Sequence, residues 1–301
     1  MNVVASAPGK IVLCGEYAVL WGAPAVSMAV NRRAVARVRD SGDGGCHLRT
    51  PGYEGDDGFL VIDALCDDAR PAAEIELDSS AFVEGSRKIG IGSSAAVTVA
   101  LAAALRNSTD IAAAAYAAHA ALQHGAGSGV DVASALHGGL IEFSMPERDV
   151  RALQWPQGLA YRVLWTGVPS STAEKLERLA DQAVRASRSA LLLAAPRMAA
   201  AWRRGNVEEI LAEFVSYTGV LRQFSVDHDL GIFDAGHEQL TDAAMVDGLI
   251  YKPAGAGGGD VGILLGASES ALDRFIEHRS GMIHGILECA LDDSGVRLEA
   301  A

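Results

Sequence analysis

The chain has 301 residues, half of them apolar and 21% charged. That is an ordinary globular mixture, long enough for about two domains and for a core that needs no covalent staples. Its 38 acidic and 25 basic residues give a formal net charge of −13. This argues against sequence-independent nucleic-acid binding, which rests on clustered cations, while local donors can still hold a small anion. Cys14, Cys46, Cys66 and Cys289 are scattered with no C-x-x-C pair, so reduced thiols and a cytoplasmic location are expected. Residues 1–10 lack the basic run and apolar core of a signal peptide. The longest apolar runs, 95–105 and 111–118, fall short of the roughly 20 residues that span a bilayer. They read as buried helices, and no membrane partner is expected.

In chain order, residues 3–7, 11–14, 25–29 and 34–38 read as short strands, and 41–45 as a turn. Residues 59–68 are mixed, and 74–77 read as another strand. A helix is expected from the glycine segment at 90–96 to about Arg106. A second spans 110–123 with Asp110 as N-cap, and a third 130–136. Residues 140–143 and 161–166 read as strands. A long helix over 171–195 should end or kink at Pro196. Helices over 207–221, 237–246 and 269–279, a strand over 261–265 and a closing strand at Arg297 complete the pattern. The polar, proline-containing stretch 145–158 reads as the boundary between two domains, 1–155 and 156–301.

Three glycine-rich segments stand out: Pro8-Gly9-Lys10 leading to Gly15-Glu16, residues 90–96, and residues 255–260. A glycine loop that opens a helix exposes free N–H groups at the positive end of the helix dipole, a combination that binds phosphate. Ser93 and Ser94 sit where such a helix begins. They either contact phosphate or a magnesium ion, or merely cap the helix. Only four lysines occur, Lys10, Lys88, Lys175 and Lys252, and three of them adjoin these segments.

Familiar motifs fail on inspection. The pattern G-x-x-x-x-G-K-[ST] has Val4 and Ile11 in the wrong places. Gly90-Ile-Gly-Ser-Ser-Ala95 fits the dinucleotide fingerprint, but polar residues precede it where an apolar strand is required. The serine-hydrolase elbow fails at Ser93, Ser94 and Ser128. In Gly127-Ser-Gly-Val-Asp131 the aspartate opens an apolar helix, either as a dipole partner or as a functional carboxylate. His119 and His124 have no further ligands at zinc spacing and read as packing or substrate-adjacent residues.

The three segments, in this order, resemble the three motifs of the GHMP kinases: residues 7–20, residues 88–96 and residues 255–260. The finer pattern resembles the phosphomevalonate kinases: Lys88 before the glycines, G-S-G-x-D at 127–131, G-G-G-D ending at Asp260, and Trp165-Thr-Gly-Val-Pro-Ser-Ser-Thr172. The helix around 111–123 also lacks the magnesium-binding glutamate usual in mevalonate kinases. The resemblance implies an α+β, two-domain fold, with a ribosomal-protein-like N-terminal domain that binds nucleotide and a ferredoxin-like C-terminal domain. It implies transfer of a phosphoryl group from ATP, with Mg2+, to 5-phosphomevalonate in isoprenoid synthesis.

The same resemblance implies roles. Lys10 and Asp131 are the expected catalytic residues. Lys88, Gly90, Ile91, Gly92, Ser93, Ser94 and Ala95 are expected to bind ATP, with Ser94 on the metal. Lys10, Ser128, Gly129, Asp131, Ser171, Thr172 and Gly257 are expected around the acceptor. For an alcohol, Asp131 would act as a base. For a phosphate acceptor, already ionised near pH 7, it would orient Lys10 or a substrate hydroxyl. The expected partner is a small molecule, without nucleic acid or membrane, and a homodimer is allowed. The alternatives are a mevalonate kinase or another small-alcohol kinase, a decarboxylase of this fold, a non-catalytic relative and a Rossmann oxidoreductase.

Overall fold

The computed structural model describes residues 2–52, 57–66, 69–125, 127–180 and 185–300. The first half runs β1 (Asn2–Cys14), β2 (Ala25–Asp40), β3 (His47–Arg49), α1 (Asp57–Leu65), β4 (Ala73–Asp78), β5 (Val83–Glu84), β6 (Arg87–Lys88), α2 (Ser93–Arg106), α3 (Ala112–Leu122), α4 (Val130–His137), β7 (Leu140–Ser144) and β8 (Asp149–Leu153). The second half runs β9 (Ala160–Trp165), α5 (Thr172–Ala180), α6 (Ala186–Arg204), α7 (Val207–Asp227), α8 (His237–Val246), β10 (Ile250–Pro253), β11 (Val261–Gly266), α9 (Glu269–His278), β12 (Gly285–Leu287) and β13 (Arg297–Glu299).

The four short strands expected at the start are two long ones. β1 and β2 pair antiparallel from Asn2↔Arg39 to Cys14↔Val26, with a register shift between Pro8 and Gly9. Pro8 cannot donate to a ladder, and an irregularity is how a strand accommodates it without ending. β2 is long enough to pair with β4 near one end and β7 near the other. The first sheet therefore runs β3-β4-β2-β1-β13, with β7 and β8 extending from β2. A second, antiparallel sheet runs β10-β11-β9-β12. The chain mixes helices with mainly antiparallel sheet, an α+β architecture.

α2 and α4 cover one face of the first sheet. α2 buries Ala95, Ala96, Ala100, Ala102, Ala103 and Ala104, so the first apolar run is a buried helix, whereas α3, over the second run, buries Ala115, Tyr116 and Ala118 and exposes Ala112, Ala113 and Ala117. Small side chains let the α2 backbone lie close to the strands. The other face, through Ile11, Leu13, Met28 and Val30, joins a core with Met198, Trp202, Phe214 and Tyr217 of α6 and α7. Both faces of β1 are thus buried, which holds its glycine-lysine segment rigidly. Among the described residues no helix is long and apolar enough to cross a membrane, and none of the four cysteines forms a disulfide.

Several expectations need correction. Pro196 lies inside α6 and does not end it. It occupies the exposed face of the helix, while Leu191, Ala194, Ala195, Met198, Ala199 and Trp202 are buried around it. Burial of that set outweighs the roughly 3 kcal/mol cost of an interior proline. In the expected helix over 171–195, residues 181–184 lie outside the described residues, and the described parts belong to α5 and α6. α3 begins with Ile111 at its N-cap and no side-chain cap, so Asp110 does not serve there. Part of the polar stretch 145–158 is the strand β8, paired with β7. β10 was not anticipated, because Tyr-Lys-Pro does not read as a buried strand. The closing strand β13 returns to the first sheet, beside β1.

Candidate active site

The three glycine segments meet at Lys10. Gly9 and Lys10 lie in β1, where the Lys10 N–H donates to the Ile91 carbonyl at 2.8 Å. A β-carbon on Gly9 would stand 2.7 Å from that same oxygen and from the Phe82 ring. Only glycine lets the second segment dock this closely on the first. Gly92 has φ 84°, and a β-carbon there would press on the Lys10 stem, 3.1 Å from Cγ. Beyond the stem, Nζ reaches the third segment and would be 3.7 Å from a β-carbon on Gly255.

The second segment opens α2 with Gly92 as its N-cap and no side-chain cap. Ser93 and Ser94 therefore stand inside the first turn and do not cap it. The N–H groups of that turn face outward with the dipole behind them. Both serines line a cavity of about 130 Å³ with Lys88, Phe82, Val83 and Val97. Lys88 comes from the small hairpin β5–β6. The cavity is apolar at one end, where Val61 and Leu77 lie, and polar where α2 begins.

A second cavity, of about 130 Å³, borders Lys10. Lys10, Ser128, Asp131, Gln123, Thr172 and Gly255 supply its polar groups, and Val12, Val19, Leu20 and Val130 its apolar wall. Asp131 lies in the first turn of α4, and its Oδ1 accepts the Val132 N–H at 3.0 Å. Gly129 is the N-cap of α4, at φ 81°, and the Tyr116 ring lies against it.

The other expected acceptor residues are placed differently. Ser171 Oγ accepts the Glu174 N–H at 3.3 Å, in the first turn of α5. Gly257 is buried against Ile232, and its carbonyl accepts the Ser170 hydroxyl. Neither is among the residues that line the second cavity. Ile91 and Ala95 are buried, so their side chains anchor the second glycine segment in the core.

His119, expected as a packing or substrate-adjacent residue, is buried on α3 with Nε2 3.7 Å from Asp131 Oδ2 and beside Gln123. Three features escaped sequence reasoning. Gln123 and Tyr17 line the second cavity. Lys175 lies against Gly258 and donates to the Leu230 carbonyl at 2.6 Å. Burial pulls its ammonium pKa down. Lys252 is fully buried and paired with Glu16, which also accepts the Tyr217 hydroxyl at 2.7 Å. The lysine beside the third segment is thus part of the scaffold. A buried pair stabilises little, but losing one partner strands the other's charge.

His237 anchors the third segment from behind. The Tyr251 hydroxyl donates to Nδ1 at 2.8 Å, and Nε2–H donates to the Gly259 carbonyl at 2.9 Å. This satisfies the neutral imidazole, and burial pushes its pKa down to about 4. The unfolded chain takes that proton near 6.5. Between these values the unfolded state binds more protons, so stability falls as pH drops through the window. From pH 7 to 5 the wild type should lose about 2 kcal/mol more than His237→Gln. Urea unfolding at both pH values measures it, and equal losses would show that His237 is not the group responsible.

Asp260 closes the site. Its carboxyl fills the space that a side chain on Gly90 would need, and Oδ1 accepts the Ser170 N–H at 3.2 Å. Burial raises its pKa, against the pull of the Ser170 N–H, Lys10 and Lys175. Among the described residues no group of three or more His, Cys, Asp or Glu is poised to hold a metal. Magnesium often takes only one or two protein oxygens, with water and substrate phosphates completing the shell. The Ser94 hydroxyl beside a phosphate loop fits that pattern.

The sequence and the fold are similar to those of known proteins. The family model of the GHMP kinases N terminal domain matches residues 59–139. The chain is 30% identical to the phosphomevalonate kinase of Streptomyces sp. (strain CL190) over 344 aligned positions, 90% of this chain and 92% of that enzyme. It is 32% identical to the phosphomevalonate kinase of Saccharolobus solfataricus over 153 residues, 45% of this chain and 47% of the other. Among solved structures, Streptococcus pneumoniae phosphomevalonate kinase in complex with phosphomevalonate and AMPPNP aligns with a TM-score of 0.82 at 18% identity. That alignment covers 96% of this chain and 99% of the other. The Lin0012 protein of Listeria innocua aligns with a TM-score of 0.87 at 21% identity over the full length of both chains. At such identities the structures speak for the fold, and the Streptomyces enzyme, matched over nearly its whole length, speaks for the lineage: the chain belongs to the GHMP kinases.

Proposed function

We propose that this kinase transfers the γ-phosphoryl group of ATP to the phosphate of 5-phosphomevalonate in the cytoplasm, giving 5-diphosphomevalonate and ADP. The observation that carries the reading is the position of Lys10, between a phosphate loop and a second, half-apolar cavity. A phosphate oxygen of the acceptor attacks the γ-phosphorus, and the bond from that phosphorus to the bridging oxygen of ADP breaks. Such a reaction asks the protein mainly to position its reactants and neutralise charge. The N–H groups at the start of α2, with Ser93, hold the triphosphate. Lys88 reaches a phosphate of ATP or of the acceptor. Lys10 neutralises the charge between the two ligands. Ser128, Gly129, Asp131 and Thr172 surround the acceptor, whose methyl and methylene groups suit the Val12, Val19 and Leu20 wall. Ser94 would hold magnesium, which when bound would offset charge on the phosphates. We place the domain boundary at 155/156, with nucleotide bound mainly by the first domain.

The names of the Streptomyces relative and of the streptococcal complex support this acceptor. So does α3, which carries no carboxylate. An ADP-release assay over mevalonate, 5-phosphomevalonate, homoserine and galactose tests it. Turnover of mevalonate without 5-phosphomevalonate would overturn it. Ser94→Ala should weaken magnesium-dependent turnover about 10–100-fold, the scale of one lost contact to a charged group, and nucleotide binding much less. An unchanged magnesium titration would remove Ser94 from the metal.

A further inference from the structure

We propose that Asp260 is a positioning residue that couples the nucleotide and acceptor sites. Its side chain occupies the place of a Gly90 side chain on the phosphate loop. Its other oxygen holds the Ser170 N–H. The Ser170 hydroxyl donates to the Gly257 carbonyl at 2.6 Å, and Ser171 closes the first turn of α5. α5 starts at Thr172, in the wall of the acceptor-side cavity. One carboxyl group therefore touches the phosphate loop and the loop that aims Thr172.

The backbone of Asp260 is held for this purpose. It has φ 54°, a left-handed conformation that costs a residue with a β-carbon about 1 kcal/mol or more. Hydrogen bonds fix it there. Its N–H donates to the Val168 carbonyl at 2.7 Å, and its carbonyl accepts the Thr166 N–H at 2.9 Å. A second tie runs in parallel, because Arg87, beside Lys88 on β6, donates to the Gly167 carbonyl at 2.7 Å. The segment 166–171 is thus fastened to the nucleotide side at two points. Phosphates that order the Gly90 loop also order this segment, and the acceptor then meets a loop whose ordering cost is already met. A carboxyl group packed this tightly on a glycine acts by shape and hydrogen bonding.

The inference rests on the two ligand assignments above. The measurement is the dissociation constant of 5-phosphomevalonate by titration calorimetry, with and without magnesium and AMPPNP. The ratio of the two constants is the coupling factor. Repulsion between the two ligands' phosphates contributes equally to every variant and cancels when variants are compared. Asp260→Ala should lower the factor at least about fivefold, the lower end of ordinary coupling, while Asp260→Asn keeps its shape and acceptor and stays within about twofold of wild type. Arg87→Met, on the exposed second tie, should lower the factor as well and serves if Asp260→Ala does not fold. A factor in Asp260→Ala or Arg87→Met equal to wild type overturns the proposal, as does loss in Asp260→Asn as large as in Asp260→Ala. Failure of the wild type to bind 5-phosphomevalonate at all would instead overturn the assigned acceptor.

Discussion

Lys10→Met is expected to lower kcat/KM by about 10²–10³-fold, the scale of removing one preorganised group that stabilises transition-state charge. The stem crosses Gly92, and Nζ lies near Gly255. A methionine keeps most of that stem and its packing but carries no charge. The fold should therefore persist, with an unchanged circular dichroism spectrum and a melting temperature within a few degrees. Lys10→Arg should rescue poorly, because a planar guanidinium is larger than the point charge that the gap between Gly92 and Gly255 admits. Near-normal turnover in Lys10→Met would remove Lys10 from the chemistry.

Asp131→Asn tests acceptor and mechanism together. The substitution keeps size and most hydrogen bonds but removes the charge that faces His119 and the cavity. With an alcohol acceptor, a lost general base is worth about 10²–10⁴-fold. With a phosphate acceptor the nucleophile is already ionised, its second pKa being about 6. The loss should then be about tenfold, from misplacement of Lys10 or the substrate. The profile of log(kcat/KM) against pH with 5-phosphomevalonate should rise through about 6 in the wild type and in Asp131→Asn alike, following the substrate phosphate. An ascending limb that vanishes in the variant would make Asp131 a true base and contradict the phosphate-acceptor mechanism.

The parts of the site that lie close together in the chain were legible as sequence. Gly90 to Ala95 announces a helix start with exposed N–H groups, because glycine and serine choices there follow from local backbone geometry. The same holds for Gly127 to Asp131 at the start of α4. The helices α2, α7, α8 and α9 were legible for a similar reason, since a period near 3.6 is a local property. Even so, propensity misplaced Pro196, whose cost in isolation is overridden by the buried face around it.

What the sequence determined by itself is the set of three glycine segments, their order, the apolar helices between them and the excess of negative charge. These depend on neighbours within a few residues and on composition. Only the tertiary structure decided which side chains share a site. Glu16 and Lys252 are 236 residues apart and form one buried pair. Gly90 and Asp260 touch only because the loop before β11 folds onto the start of α2. Lys252 became scaffold and Lys10 site wall, although both are lysines beside glycines. The physical reason is burial: Lys252 is closed off from solvent and must be paired, whereas Lys10 borders a cavity where a ligand's charge can answer its own.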